Sequence, residues 1–333
     1  MLALVPLLLC LGAQSKGIEV LTAANRFKSE ILGVAVSPSG RYVAGVSRDR
    51  LEELDLKEGT YLGFKAETTA SVFYLGDALY LGDSDGTIET LDRPGKKFTD
   101  KANVRAIPVN PAFAAGGSRL FYAIPGEKFW EVAGFEMKTG KTPLHLERRG
   151  SQGIFGVSPD GAAVVTVAEG PKDASGLQHF RLETHAIASN VTATLQDFTF
   201  RTVSKDVMEG AFFTSCAYST SGTDILATWN TIAKDASGDA YLATYDAKTG
   251  KQKVKWTLKD GNVDTAIYLG DDRRIALVNS DKLVVYDLQA GKELASVPVD
   301  QSSEYFVAAS KSGDVLAVGC GKVVTIYKIT AKP

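Results

Sequence analysis

The sequence is poor in the residues that usually build metal, redox and disulfide sites. It has 333 residues but only three histidines, three methionines and three cysteines. Cys10 lies in an apolar N-terminal run, which leaves Cys216 and Cys320 in the rest of the chain. Because two cysteines do not make a disulfide framework, we expect both thiols to be free and mostly buried.

An excess of one charge is also missing. The chain has 37 lysines and arginines against 39 aspartates and glutamates, a net charge of −2, and no long block of like charge. Proteins that bind nucleic acid normally show a basic patch or stripe, because they must neutralise phosphates. The composition therefore predicts no nucleic acid partner.

Long apolar runs are absent beyond the N-terminus. Leu2 to Gly12 form an apolar run that is too short to span a bilayer as a helix. The following Ala13-Gln14-Ser15 has the small-x-small order that signal peptidase accepts. We predict that residues 1–15 are a signal peptide cut before Lys16 and that the protein is exported, periplasmic or extracellular, without spanning a membrane. No Lys or Arg precedes the run, and a buried N-terminal segment is the alternative.

What the sequence does contain is internal repetition, first as Ser-Pro-x-Gly. It stands in VAVSPSGRYVAGV (34–46) and FGVSPDGAAVVTV (155–167), with degenerate copies at 217–229, 268–278 and 308–319. Each copy lies between two runs rich in Val, Ala, Leu and Tyr. A tight turn that joins two alternating apolar runs is typical of a β-hairpin.

A second repeat has Asp, three residues and Gly after an apolar or aromatic residue. It occurs at 54–64, 245–256 and 286–297, with a Glu variant at 135–146. The side-chain oxygen of Asp55, Asp246 or Asp287 can accept hydrogen bonds from the turn backbone, and the glycine suits a left-handed conformation. This pattern predicts a second hairpin in each unit.

Together the two repeats define four-strand units: strand a, Ser-Pro-x-Gly turn, strand b, loop, strand c, Asp-x-x-x-Gly turn, strand d. Their spacing lies around the ~40–45 residues of one propeller blade. The last unit ends with its third strand at 323–330, and a spare strand-like run stands at 17–23. We therefore predict an all-β, seven-bladed β-propeller over residues 16–333, closed by pairing of the N-terminal strand with the last blade. The units begin near Ile31, Ala70, Val104, Gln152, Met208, Val263 and Ser303.

The turns at 158–161, 245–251 and 286–292 resemble those of the WD40 and YVTN-type β-propeller families. The resemblance covers nearly all of residues 17–330. No strand c ends in Trp-Asp and no unit opens with Gly-His, so the polar network of regular WD40 blades is not expected. The chain is similar to divergent bacterial-type propellers, and this resemblance implies a fold rather than a substrate.

The pentapeptide KDASG occurs twice, at 172–176 and 234–238. The unit register places both copies in the loop between strands b and c, in blades 4 and 5. Duplication of neighbouring blades, with Asp, Ser and Gly as favourable turn residues, is enough to explain them. The alternative is that these loops contact a partner.

The register predicts short turns on one face and long loops on the other, longest over blades 3 to 5. Because binding residues gather on loops held by a rigid scaffold, we predict a non-enzymatic scaffold, a monomer, that binds a protein or peptide there. The alternative is that the aromatics of these segments only pad the loop bases. The candidate contact residues are Phe129, Trp130, Lys172, Asp173, Phe198, Phe200, Arg201, Trp229, Lys234 and Asp235.

The sequence predicts no catalytic residue, no metal site and no cofactor. Gly140-Lys141-Thr142 mimics the end of a phosphate loop, but Phe135 stands where its first glycine is required. Asp83, Asp85 and Glu89 follow a calcium-loop order but supply too few oxygens, and a hairpin explains them better. The three histidines, His145, His179 and His185, fall in outer strands, away from the axis.

Two other functions remain open at the level of sequence. One is an enzyme of the propeller lactonase or hydrolase kind, working at the central channel, which would need charged or metal-binding side chains on strand a. The runs that we assign to strand a, such as ILGVAVS and AFFTSCAYS, are mainly apolar or hydroxylic. The other is a propeller that is only structural, which would expose no apolar cluster.

Overall fold

All strands of the described chain belong to four-stranded antiparallel sheets. The computed structural model describes residues 16–24, 27–65, 69–83, 86–103, 112–116, 118–124, 129–142, 144–149, 154–170, 177–201, 210–232, 238–259, 261–302 and 304–333. These residues form 28 strands in seven sheets and no helix. Consequently, the described part of the chain offers no helix able to cross a membrane. The fold is the predicted seven-bladed β-propeller.

The strands follow one another in the predicted order, from the innermost strand a to the outermost strand d. The first strand, β1 (Ile18–Ala24), belongs to the last blade. Blade 1 comprises β2 (Ile31–Val36), β3 (Tyr42–Ser47), β4 (Arg50–Asp55) and β5 (Thr60–Lys65). Blade 2 comprises β6 (Thr69–Leu75), β7 (Ala78–Asp83), β8 (Thr87–Asp92) and β9 (Lys97–Asn103). Blade 3 comprises β10 (Ala112–Gly116), β11 (Arg119–Ile124), β12 (Phe129–Glu136) and β13 (Leu144–Arg149).

The remaining blades repeat this order with strands of more variable length. Blade 4 comprises β14 (Phe155–Val157), β15 (Ala163–Glu169), β16 (Leu177–Ala186) and β17 (Val191–Arg201). Blade 5 comprises β18 (Gly210–Tyr218), β19 (Asp224–Ile232), β20 (Ala240–Asp246) and β21 (Gln252–Leu258). Blade 6 comprises β22 (Thr265–Tyr268), β23 (Arg274–Asn279), β24 (Lys282–Asp287) and β25 (Lys292–Pro298). Blade 7 comprises β26 (Tyr305–Ala309), β27 (Val315–Cys320) and β28 (Val323–Ile329), with β1 as its outer strand.

Ring closure takes place as predicted, through β1 and β28. These strands pair antiparallel, with Ile18 opposite Ile329 and Glu19 opposite Lys328. Ile18 is 2% exposed and packs in the core cluster between blades 6 and 7. The backbone N–H groups of Thr330 and Ala331 also donate to the Gly17 carbonyl, at 2.9 and 3.0 Å. The N-terminal strand is therefore held by both backbone pairing and apolar packing.

The a–b turns confirm the first repeat. In blade 1, the backbone N–H of Tyr42 donates to the Ser37 hydroxyl at 3.0 Å, and Gly40 adopts a φ of 73°. The serine is buried because its hydroxyl serves the turn instead of the solvent. The same serine-to-backbone bond recurs in three other blades, at Ser158, Ser219 and Ser310.

The c–d turns confirm the second repeat. The Asp246 carboxylate accepts hydrogen bonds from the backbone N–H groups of Lys248 and Thr249, at 3.2 and 2.8 Å. These bonds hold the pKa of Asp246 down, at about 2. Asp55 and Asp287 accept equivalent bonds in blades 1 and 6. The side chain therefore shapes each turn, as the sequence indicates.

The core lies between adjacent blades. For example, Val165 and Leu182 of blade 4 pack against Phe213 and Trp229 of blade 5 in one cluster. Both cysteines lie in this type of environment. Cys216 and Cys320 are buried and free, in blades 5 and 7, as predicted. Burial raises the pKa of both thiols.

Candidate functional site

The b–c and d–a connections lie on one face, here called the long-loop face, and the a–b and c–d turns lie on the other, the turn face. Of the predicted contact residues, Phe129 and Trp130 begin β12 at the long-loop face. Phe129 is 49% exposed, whereas Trp130 is fully buried. Successive residues of a strand point to opposite sides of the sheet, so only one of the two can face a partner.

The predicted loop positions of Trp229 and Phe198 are wrong, because both belong to strands. Trp229, in β19, is 3% exposed, and Phe198, in β17, is half-buried. Their ring centroids lie 5.2 Å apart in an edge-to-face arrangement. Trp229 also stacks on Tyr241, with 5.3 Å between the ring centroids. Phe198 also contacts Phe213 at 5.1 Å. These aromatics therefore build the interface of blades 4 and 5, which is the padding alternative.

Phe200 and Arg201 are also strand residues, at the end of β17, where they pair with Gln178 and Leu177. The first KDASG segment and residues 234–237 of the second lie outside the described residues, including the candidates Lys172, Asp173, Lys234 and Asp235. The strand bounds nevertheless place both segments between strands b and c. The first joins β15 to β16, and the second joins β19 to β20.

In blades 4 and 5, one pair of strands extends beyond the adjoining strand of the same sheet at the long-loop face. In blade 4, β15 ends at Glu169 opposite Phe180, but β16 and β17 stay paired for three more residues, to Leu177 and Arg201. In blade 5, the β18–β19 pairing continues to Ile232, two residues past the point where β20 joins the sheet. The elongated strands form a ridge on this face.

The same face is different over blades 5 to 7, where polar side chains close it. The Asn230 amide donates to Asn262 Oδ1 at 3.1 Å, and Asn262 Nδ2 donates to Asp264 Oδ1 and Ser280 Oγ, each at 3.1 Å. The Tyr305 hydroxyl donates to the Ser280 carbonyl at 2.5 Å. Since these groups satisfy one another, this part of the face offers few free polar atoms.

The turn face contains a cavity of about 610 Å³ on the propeller axis. Its described walls come from six of the seven blades, and they consist of the ends of strands a together with the a–b turns. The side chains are mostly apolar or aromatic, with a few hydroxyls and one lysine. The wall includes Tyr74, Leu75, Ala217, Tyr218, Ile267, Tyr268, Val307 and Ala309.

The mouth of this axial cavity is built from one equivalent position of every described turn that reaches it. This is the second turn position, directly after the turn serine or after the leucine that replaces it, Leu75 or Leu269. It faces the axis in each case, and one of its occupants, Lys311, carries a charge. The ring of second turn positions comprises Pro38, Gly76, Pro159, Thr220, Gly270 and Lys311.

Neighbouring turns interlock around the mouth. The Lys311 backbone N–H donates to the Pro38 carbonyl at 3.1 Å, which joins blade 7 to blade 1. The Ser221 hydroxyl donates to Asp272 at 2.5 Å, which joins blade 5 to blade 6. Gly270 lies so close to blade 7 that an added Cβ would be 1.9 Å from the Ser312 carbonyl oxygen. These contacts hold the turns of blades 5, 6, 7 and 1 against one another.

The ionisable groups of the described cavity wall are tyrosines, apart from Lys311. Burial raises the pKa of Tyr218 and Tyr268 well above that of a free tyrosine. The Tyr74 hydroxyl donates to the buried Glu53 carboxylate at 2.8 Å. Among the described residues, no three His, Cys, Asp or Glu side chains form a group that could hold a metal ion. The wall is thus suited to binding an amphipathic ligand.

This cavity was not predicted from the sequence, which indicated only short turns on the turn face. A signal was available in the repeats. When the turns are aligned, their second position is Pro, Gly or Thr in five of the turns that line the cavity and Lys in the sixth. A lone charge at a position that is otherwise uncharged in the described ring indicates a role other than turn formation.

Comparison with known proteins identifies the fold and no family. No family model and no curated protein matches the sequence. By contrast, 1181 chains of solved structures match, so the fold is too widespread to indicate an activity. One of them is hydrazine synthase from Kuenenia stuttgartiensis, which is 14% identical, with 91% of this chain and 97% of that chain covered and a TM-score of 0.65. At this identity the likeness shows the fold alone: this chain is a seven-bladed β-propeller.

Proposed function

We propose that the protein is a non-enzymatic scaffold that binds a protein or peptide through the long-loop face over blades 3 to 5. The observation that carries the proposal is the ridge formed where β16 and β17 outlast β15. A raised ridge gives a partner a shaped surface, and binding residues gather on the connections that such a scaffold holds. The half-exposed Phe129 lies on the same face, and aromatic residues are enriched at interfaces.

The lengths of the connections support the same region. The segments 104–111 and 202–209 each have eight residues and lead into blades 3 and 5. On the same face, the b–c connections of blades 1 and 6 are two-residue turns, at 48–49 and 280–281. Long connections within a compact fold are often functional. Their concentration over blades 3 to 5 favours this sector as the contact region of a monomer.

The enzyme alternative has less support. Apart from tyrosines, the described wall of the axial cavity contributes one ionisable side chain, Lys311. General acid–base chemistry normally uses a pair of groups with matched pKa values within reach of the substrate. Turnover of a lactone or ester by the purified protein, abolished by the Thr220→Trp change at the cavity mouth, would establish the alternative.

We also propose that the protein is exported after cleavage of residues 1–15 and that it is related to WD40 and YVTN-type propellers. Removal of residues 1–15 would leave Lys16 at the N-terminus, two residues before β1, so the closing strand would survive cleavage. Mass spectrometry of the protein recovered from outside the cytoplasm tests this point, and a chain that retains residues 1–15 contradicts it. The turn repeats support a relation to WD40 and YVTN-type propellers.

Site-specific photocrosslinking tests the contact face. A photoreactive phenylalanine analogue at position 129 should crosslink a defined partner from the native host, whereas the same analogue at position 191 should not. Val191 is a matched control, because it is 55% exposed but lies at the opposite end of β17. With the partner purified, Phe129→Ser should weaken binding by about tenfold or more, and Val191→Ser by less than about twofold. Equal effects at both positions would contradict the proposed face.

A further inference from the structure

The axial cavity on the turn face has no role in the partner binding described above, although it has the features of a ligand site. Its volume of about 610 Å³ is typical of ligand pockets, its wall presents more apolar than polar surface, and neighbouring turns interlock at its rim. We propose that it binds the C-terminal end of an extended peptide, whose free carboxylate pairs with Lys311.

The backbone of the wall favours a peptide. Strand a is the edge strand of every blade, so its inner row of N–H and C=O groups has no neighbouring strand. Three consecutive residues of β26, Val307 to Ala309, line the cavity, together with the ends of β18 and β22. An extended peptide can supply hydrogen bonds to such an edge, while its side chains meet apolar walls.

The side chains of the wall suit the apolar body of that peptide. Leu75 and Ile267 contribute aliphatic surface, and Pro38 and Pro159 add rigid apolar surface at the mouth. The Tyr74 hydroxyl is committed to Glu53, so the cavity receives its ring and not a free hydroxyl. Short peptides that end in an aliphatic residue therefore fit better than strongly polar ones.

The positive charge of Lys311 at the mouth favours a ligand that ends in a carboxylate. Lys311 is exposed, and among the described residues it forms no ion pair. Two acids of the turns in blades 6 and 7 already have partners: Asp271 pairs with Arg274 at 2.6 Å, and Asp314 accepts hydrogen bonds from Ser310 and Ser312. An ammonium group beside an apolar cavity complements a carboxylate, and a charge-assisted hydrogen bond would orient the chain end.

The interlocked rim lowers the cost of binding. Backbone and side-chain bonds join the turns of blades 5 to 6 and 7 to 1, and the close approach of Gly270 to Ser312 joins blades 6 and 7. Because these turns are fixed before the ligand arrives, little conformational freedom remains to be lost. A preformed site of this kind suits short ligands, which gain little from each contact.

The test measures binding of an acetylated Leu-Ala-Val tripeptide by calorimetry or by NMR shifts of the purified chain. The free acid should bind about fivefold more tightly than its C-terminal amide. Lys311→Gln should remove that preference, whereas Lys322→Gln should not. Lys322 is a matched control, because it is an exposed lysine of the same blade at a b–c turn on the long-loop face.

A second variant tests the location. Thr220→Trp places a bulky ring at the mouth, at a turn position that carries an exposed proline in two other blades, so the fold should tolerate it. This variant should lose tripeptide binding and keep the melting temperature of the wild type. A lower melting temperature would move the test to Lys311→Gln alone, whose retained acid preference overturns the proposal.

Three results contradict the proposal: equal affinity for acid and amide, no binding of the tripeptide at millimolar concentration, or tighter binding of 3-phenylpropionate than of the tripeptide. The last result would identify a small-molecule acid as the occupant. The outcome is independent of the long-loop face. Phe129→Ser should leave tripeptide binding unchanged, and Lys311→Gln should leave partner crosslinking at position 129 unchanged.

Discussion

Arg273 and Asp287 form a two-pronged ion pair at the turn face of blade 6. Arg273 Nε donates to Asp287 Oδ1 at 2.9 Å, and Nη2 donates to Oδ2 at 2.6 Å. Asp287 is fully buried, and the same pairing recurs as Arg41 with Asp55 in blade 1. The pair links the residue before strand b to the last residue of strand c, so it fastens one turn to the next.

Removing the Arg273 guanidinium should destabilise the folded protein. Arg273→Ala leaves the Asp287 carboxylate buried with only backbone donors, so the free energy of unfolding should fall by about 1–3 kcal/mol. Denaturant unfolding measures the change. Lys292→Ala, at an exposed lysine of the same blade, should change it by less than about 0.5 kcal/mol. Equal effects of the two substitutions would show that the pair contributes nothing specific.

His185 should make stability depend on pH. It is 3% exposed, and burial, with Arg148 nearby, lowers its pKa. The unfolded chain then binds a proton more readily than the folded one, so stability should fall as the pH drops below the ordinary histidine value of about 6.5. His185→Gln should flatten the slope of unfolding free energy between about pH 5 and 7. His145→Gln, at an exposed histidine, is the control, and an equal flattening there would refute the assignment.

Gly270 and Gly59 allow a matched test of the interlocked rim. Both adopt nearly the same backbone angle, with φ of 63° and 62°. An added Cβ at Gly59 would meet nothing within 4 Å, whereas at Gly270 it would lie 1.9 Å from Ser312 O. Gly59→Ala should therefore cost about 1 kcal/mol of stability, and Gly270→Ala about 2–4 kcal/mol. Similar losses by thermal or denaturant unfolding would contradict the close packing of the two turns.

Ring closure can be tested within a single strand. Ile18 is 2% exposed and Leu21 is 41% exposed, although both belong to β1. Ile18→Ala should lower the free energy of unfolding by about 2–4 kcal/mol, because it leaves a cavity between blades 6 and 7. Leu21→Ala should change it by less than about 0.5 kcal/mol. A loss at Ile18 no larger than at Leu21 would show that this strand is not needed to seal the ring.

The turns could be predicted from sequence because their chemistry is local. Ser37 and Gly40, or Asp246 and Gly250, act within a few residues of each other, so their spacing is visible in the chain. The closing strand could also be predicted, since the last unit lacks an outer strand and residues 17–23 provide one. The first inference depends on local spacing, and the second depends on counting the repeated units.

The loop map over blades 3 to 5 was harder to derive, because strand length depends on the partner strand. Polar residues around Phe198 and Trp229 suggest loops, yet β17 extends to Arg201 because β16 pairs with it along its whole length. The buried position of Trp229 depends on Phe198 from the neighbouring blade. The axial cavity likewise exists only after six blades are arranged around one axis.

The position of β1 also sets an order of events during synthesis. Among the described strands, this one leaves the ribosome before the others, and its partner β28 follows after them, about 300 residues later. A loop of that length is costly in entropy to close, so the last blade should form only after the others have aligned its two halves. Until then, the nascent chain displays an unpaired β1 strand that chaperones or other chains can recognise.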